Sequence, residues 1–190
     1  MRTLLIAFLA LALGAPLAAA AKREPAGVIT SISGKVDLYL RPVLALKGAA
    51  TPAPVVKTPH LGQTLFAGDR LKTGANGRIA LVLTDGTQLK LNYNTDATLS
   101  DRNSKGRTSA RGIAAIKILF GQLWAKVTKK DSTLEFDTPD AVAAVKGTEP
   151  LITVSPDGSL CVQLRSGKVR MSNELSGVVT LDPNQQICVA

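Results

Sequence analysis

The sequence predicts an all-β fold, a solenoid, sandwich or barrel of short strands. Three observations carry that expectation. Apolar residues recur at every second position in short runs along most of the chain. Gly or Asp-Gly separates successive runs, as at Gly34, Asp85-Gly86, Gly121, Asp157-Gly158 and Gly167. The apolar content, 45% of 190 residues, comes mainly from Val, Leu, Ile and Ala, with only 4% aromatics. That composition suits a core of layered aliphatic side chains and argues against global disorder.

The first segment sets the compartment. Arg2 precedes an uncharged apolar run from Leu4 to Leu13, Gly14 and Pro16 break it, and Ala18 to Ala21 supply small residues for a cleavage site. This is the pattern of a secretory signal peptide, assigned to residues 1–21. The run is shorter than the roughly 20 apolar residues that span a membrane, and no later segment is long and apolar enough. The expectation is one exported domain over residues 22–190, periplasmic or secreted. Formal charge is +9, or +8 once Arg2 leaves with the leader. For an exported chain the anions such a surface meets are head groups, polysaccharide or protein rather than nucleic acid. A basic surface that only keeps the protein soluble is the other reading.

Residues 27–32 and 34–40 read as adjacent strands turned at Ser33-Gly34. Pro42, Pro52, Pro54 and Pro59 then punctuate residues 41–60, which excludes a central strand and marks an exposed excursion. His60, the only histidine, has no Cys, Asp or Glu cluster beside it. Residues 79–84 and 87–93 form a hairpin about a two-residue Asp85-Gly86 turn, which pairs Thr84 with Thr87, Val82 with Leu89 and Ala80 with Leu91. Residues 101–112 are a basic loop in which Arg102, Lys105, Arg107 and Arg111 form a candidate anion-binding surface. No aromatics interleave there, which speaks against single-stranded nucleic acid; a solvated loop tip is the alternative. Residues 113–127 read as two short strands around Gly121, with Trp124 on the face opposite Leu123. Residues 151–154 and 160–164 make another hairpin, and short strands near 167–171, 178–181 and 186–189 close the chain.

Residues 136–148 are the most informative stretch. An extended segment meets a Thr138-Pro139 corner, where proline marks a strand edge or turn. Small apolar residues follow, and Gly147-Thr148 ends the run with a backbone bend. The two cysteines, Cys161 and Cys188, are both out of phase with their apolar neighbours. In an oxidising compartment they can form one disulfide, closing a loop of roughly 28 residues worth about 3–4 kcal/mol. Two free buried thiols are the alternative.

The ordered set of motifs resembles a known family. It runs Gly34-Lys35-Val36; Leu65, Gly68-Asp69, Leu71 and Thr73-Gly74; Asp85-Gly86-Thr87; Gly121-Gln122-Leu123; Thr138-Pro139, Ala141 and Val145-Lys146-Gly147-Thr148; then Gly167-Lys168-Val169. From about Gly27 to Val189 the chain resembles the FecR-type domain, named for the ferric-citrate signalling regulators of Gram-negative bacteria. The resemblance implies a periplasmic module built as a short, twisted β-solenoid-like domain, with Thr138, Pro139, Gly147 and Thr148 as structural motif residues. In signalling members this module carries word from an outer-membrane receptor to a cytoplasmic sigma factor. Here a leader stands where those members have a cytoplasmic helical domain and a membrane span. Glu149-Pro150-Leu151 replaces the family's usual aromatic, and Pro150 lacks a ladder donor, which puts pairing just after Thr148 in question.

The chain shows no nucleophile–base pair, metal-ligand set or cofactor motif. Asp69, Asp85 and Asp96 are the nearest raw material for a hydrolase, and Asp69 and Asp85 are better explained as turn formers beside glycine. The expectation is a non-enzymatic exported β domain, without a cofactor, that binds an envelope protein or glycan in sensing or signalling. The alternative is a structural or adhesive envelope component that binds anionic polymer or membrane through its basic loops.

Overall fold

The computed structural model describes residues 25–41, 53–101, 113–128, 133–139, 141–173 and 177–189. Among them are sixteen strands and no helix. In order they are β1 (Pro25–Ser33), β2 (Val36–Leu40), β3 (Val55–Lys57), β4 (Thr64–Phe66), β5 (Arg70–Thr73), β6 (Arg78–Leu83), β7 (Gln88–Leu91) and β8 (Asp96–Asp101). There follow β9 (Ile113–Lys126), β10 (Leu134–Asp137), β11 (Val142–Lys146), β12 (Pro150–Val154), β13 (Leu160–Leu164), β14 (Lys168–Asn173), β15 (Gly177–Leu181) and β16 (Gln186–Val189). The leader (1–21) and the basic loop with Arg102, Lys105, Arg107 and Arg111 lie outside the described residues.

The strands form two sheets that share β9. Sheet A runs β4-β1-β6-β7-β9-β12-β13-β16, and sheet B runs β3-β2-β5-β8-β9-β10-β11-β14-β15. The β9–β10 pairing is parallel and the others are antiparallel. The chain crosses from one sheet to the other again and again, adding strands to each in nearly sequential order. Both sheets keep free edges, so the all-β domain is not a closed barrel. Its path is that of a flattened coil.

Period-two burial drives this arrangement. Strand β6 buries Ile79, Leu81 and Leu83, β7 buries Leu89 and Leu91, and β12 and β13 bury Ile152, Val154, Leu160, Val162 and Leu164. Sheet B contributes Leu38, Leu71, Leu99, Ile116, Ile118, Phe136 and Val145 to the same contiguous core. Each such side chain, fully buried, contributes about 1.5–3 kcal/mol. Alternate residues face outward and form a second, solvent-facing surface.

Four sequence expectations need correction. First, β1 and β2 are not paired neighbours: β1 lies in sheet A between β4 and β6, and β2 lies in sheet B between β3 and β5. The Ser33-Gly34 turn is a crossing between layers. Second, the β6–β7 register is shifted by one residue: Leu81 faces Leu89, and Ala80 faces Lys90. The loop has three residues, Thr84, Asp85 and Gly86, because Leu83 N–H donates to Thr87 O and Gly86 N–H to Leu83 O. A type I turn followed by a positive-φ residue accounts for this, with Gly86 at φ 87°. The one-residue shift puts every leucine of the hairpin on the core side.

Third, β9 is one strand bent at Gly121, not two strands. Residues before the bend pair with β8 and β10 in sheet B, and those after it pair with β7 and β12 in sheet A. Fourth, pairing resumes directly after Thr148. Pro150 takes the first position of β12, opposite Leu164. Glu149 supplies the neighbouring bonds, donating its N–H to Ser166 O and accepting at its carbonyl from Arg165 N–H. A proline at the first strand position leaves the ladder intact. Within 41–60, β3 is an edge strand that among the described residues pairs with β2 alone.

A candidate ligand-binding face

The side chains of sheet A that point away from the core form aligned rows across the strands. One row runs Ser31, Ala80, Lys90, Trp124, Leu151 and Gln163, each opposite the next in register. A second row is polar: Arg78 on β6, Asn92 just after β7, Gln122 on β9 and Thr153 on β12. Arg78 Nε donates to Asn92 Oδ1 at 2.9 Å, Asn92 Nδ2 to Gln122 Oε1 at 2.8 Å, and Gln122 Nε2 to Thr153 Oγ1 at 3.3 Å. Beyond Thr153 the row ends at Cys161, whose disulfide to Cys188 joins β13 to the edge strand β16.

Between these rows lies a trough of about 660 Å³, lined by Ser31, Ser33, Arg78, Lys90, Asn92, Gln122, Trp124 and Leu151, with Ile79, Ala80 and Leu91 beneath. Among the described residues its charged liners are Arg78 and Lys90. Lys90 Nζ sits 4.7 Å from the centre of the Trp124 ring, and the Arg78 guanidinium 5.8 Å from that of Tyr93, both within cation–π range. A smaller depression of about 320 Å³ lies on the other side of Trp124 and Leu151, edged by Glu149, Gln163, Leu164, Arg165 and Asn184. Lys126 and Glu149 form an ion pair at 2.9 Å beside it.

The carboxylates considered as hydrolytic candidates are committed elsewhere. Asp69 is buried and accepts from the N–H groups of Phe66 (2.9 Å) and Arg41 (3.2 Å). Asp85 accepts from the Thr87 N–H and hydroxyl, closing the β6–β7 turn. Buried Asp96 takes both Nε and Nη2 of Arg70, and this hydrogen bonding holds the guanidinium above its usual pKa. His60 is exposed, with Nδ1 3.1 Å from Leu61 O.

Of the motif residues, Thr138 and Pro139 shape the β10–β11 turn within sheet B, and Gly147 and Thr148 shape a crossing between the sheets. Thr138 Oγ1 donates to Ala141 O (2.8 Å) and accepts from Ala141 N–H (3.2 Å), closing the turn that carries exposed Pro139. Gly147, at φ 59°, turns the chain from sheet B to sheet A, and Thr148 O accepts the Val127 N–H at 2.9 Å. None of these residues lines the trough.

Sequence reasoning missed the trough's polar row. Arg78, Asn92 and Gln122 are far apart in sequence, and only the strand order brings them together. The one legible signal was Trp124, the only tryptophan, out of phase with Leu123.

Residues 69–170, more than half of the chain, match the family described as FecR protein. The chain belongs to the FecR family. Two crystal structures of an anti-sigma factor candidate from Parabacteroides distasonis share this fold, with TM-scores of 0.52 and 0.53 and 21% identity over 63% of the chain. The chain spans about half the length of those proteins, 54% in each case. The curated proteins include no match. The FecR match begins at Asp69 and ends at Arg170, so it takes in Arg78, Lys90, Asn92, Gln122, Trp124 and all four motif residues.

Proposed function

We propose that this FecR-family chain is a non-catalytic, exported β domain that recognises a protein or glycan of the cell envelope in sensing or signalling. The outward face of sheet A is the recognition surface in this reading. The observation that carries it is the trough beside Trp124: a hydrogen-bonded polar row, two cations and an indole meet on one face of a sheet. Ligand sites combine apolar surface with a few fixed polar groups in this way. Family membership and the likeness to an anti-sigma factor candidate support a signalling setting. Among the described residues no helix is long and apolar enough to cross a membrane, and an exported chain in the periplasm fits the leader.

The test is affinity capture from an envelope extract at low salt, with the tagged chain expressed in a Gram-negative host and recovered from its periplasmic fraction. The expected outcome is enrichment of an envelope component that Trp124→Ala abolishes and Trp124→Phe partly keeps, with unchanged melting temperatures. Retention of the chain in the cytosol, or equal capture by Trp124→Ala, contradicts the reading.

A further inference from the structure

We propose that the trough beside Trp124 binds an acidic oligosaccharide, its sugar rings laid across the strands and its carboxylates directed to Arg78 and Lys90. This rests on the reading that the outward face of sheet A is the working surface, and it names the ligand class.

Charge is the first argument. Among the described residues Arg78 and Lys90 line the trough and no carboxylate does, so the site is complementary to an anion. The second argument is the chemistry of the polar row. The chain of bonds from Arg78 through Asn92 and Gln122 to Thr153 fixes the orientation of each group. Each amide NH₂ still has a second hydrogen to donate, the guanidinium has further N–H groups, and the Thr153 hydroxyl has its own proton. A row of pre-oriented donors and acceptors matches a ligand dense in hydroxyls.

Spacing is the third argument. The row draws one side chain from each successive strand, about 4.8 Å apart, close to the length of one pyranose ring in an extended glycan. Trp124 and Leu151 supply the apolar surface against which the C–H face of a sugar packs. A peptide fits less well. Strand addition needs an open sheet edge, and β6, β7, β9 and β12 beneath the trough are paired on both sides; β1 meets β4 at Pro25–Val28, so the nearest edge lies at the trough's margin, at Ser31–Ser33.

Because Trp124 is the only tryptophan, its fluorescence reports on the trough directly. The purified chain is titrated with hexagalacturonate, with uncharged cellohexaose and with a hexaglutamate peptide. The expected result is a saturable change in emission with hexagalacturonate, at an affinity about tenfold or more above the other two. Added salt weakens it. Arg78→Gln and Lys90→Gln, both at exposed positions that leave the core untouched, each lower the affinity about tenfold with unchanged melting. Three results overturn the proposal. Cellohexaose binding as well as hexagalacturonate removes the charge assignment. Hexaglutamate binding more tightly assigns the trough to a protein partner. No response to any of the three removes the acidic glycan. The first two leave the face itself as the working surface. In the third case, envelope capture that still depends on Trp124 separates a wrong ligand class from a wrong surface.

Discussion

Thr148 stands directly against Gly167: its Cγ2 lies 2.5 Å from the point that a β-carbon on Gly167 would occupy. The carbonyl oxygen of Gly147 is equally close, and Gly167 has φ 89°. One crossing between the sheets is thus seated on the next. Gly121 repeats the relationship against Thr95, with Cα at 2.4 Å, Oγ1 at 2.5 Å and φ 106°. The Gly147-Thr148 and Gly167-Lys168-Val169 motifs are thus two halves of one contact.

Alanine at either glycine therefore meets both backbone strain and a backbone clash. Gly167→Ala and Gly121→Ala are each expected to lower stability by about 3 kcal/mol, measured by urea unfolding. Gly177 is the control: it has φ 74°, but among the described residues nothing lies within 4 Å of a new β-carbon. Gly177→Ala is expected to cost about 1 kcal/mol, from strain alone. Equal losses at Gly167 and Gly177 would show that the crossings do not pack as described.

The Arg70–Asp96 pair gives an asymmetric prediction. The Asp96 side chain is 1% exposed, whereas Arg70 is 39% exposed. Removing the arginine strands a buried carboxylate; removing the carboxylate leaves a guanidinium that can turn to water. Arg70→Ala is expected to destabilise by about 3 kcal/mol, and Asp96→Asn by less than half of that. Thermal unfolding of the two variants checks the order. An equal loss would show that burial of Asp96 is not what makes the pair matter.

The Cys161–Cys188 disulfide secures strand β16, which among the described residues pairs with β13 alone. With a sequence separation of 27, the chain-entropy limit is about 3–4 kcal/mol. Because β16 is an edge strand, reduction can release it locally without unfolding the core. Reduction, or Cys161→Ser with Cys188→Ser, is expected to accelerate amide exchange in residues 186–189 and leave β6, β7 and β9 protected. Uniform loss of protection would place β16 in the cooperative core instead.

Asp157 closes the β12–β13 turn as Asp85 closes the β6–β7 turn. Its Oδ1 accepts the Ser159 N–H at 3.0 Å and the Ser159 hydroxyl at 2.8 Å. The backbone N–H bond, first, and the hydroxyl bond, second, hold the carboxyl below its ordinary pKa. A depressed folded-state pKa stabilises the turn at pH values above the unfolded pKa, and the contribution fades as pH falls through the folded value. Asp157→Asn is expected to weaken the turn at pH 7 and to differ little from the parent in strong acid, as followed by turn amide shifts in NMR. A difference that persists undiminished in strong acid would rule out the ionised carboxylate.

The layer chemistry was legible because period-two burial is written directly into β6, β7, β12 and β13. The β12–β13 hairpin was recognisable from Pro156-Asp157-Gly158 for the same reason. What the sequence hid was connectivity. Nothing local tells Ser33-Gly34 that it crosses to another sheet rather than closing a hairpin, since positive φ serves both. The Asp85-Gly86 register depends on one extra loop residue, set by the Asp85 bonds to Thr87. The trough was hidden for a related reason: Arg78, Asn92, Gln122 and Thr153 become neighbours only once β9 is known to sit between β7 and β12.

The most direct test of the outward face of sheet A as the recognition surface is site-specific photocrosslinking in the envelope. A photoreactive residue replaces Leu151, which lines both depressions beside Trp124, and in a separate variant replaces exposed Arg170 on β14 of sheet B. The expected result is a discrete adduct from position 151 that Trp124→Ala removes, and none from position 170. Adducts from position 170 with none from 151 would contradict it and move recognition to the opposite layer.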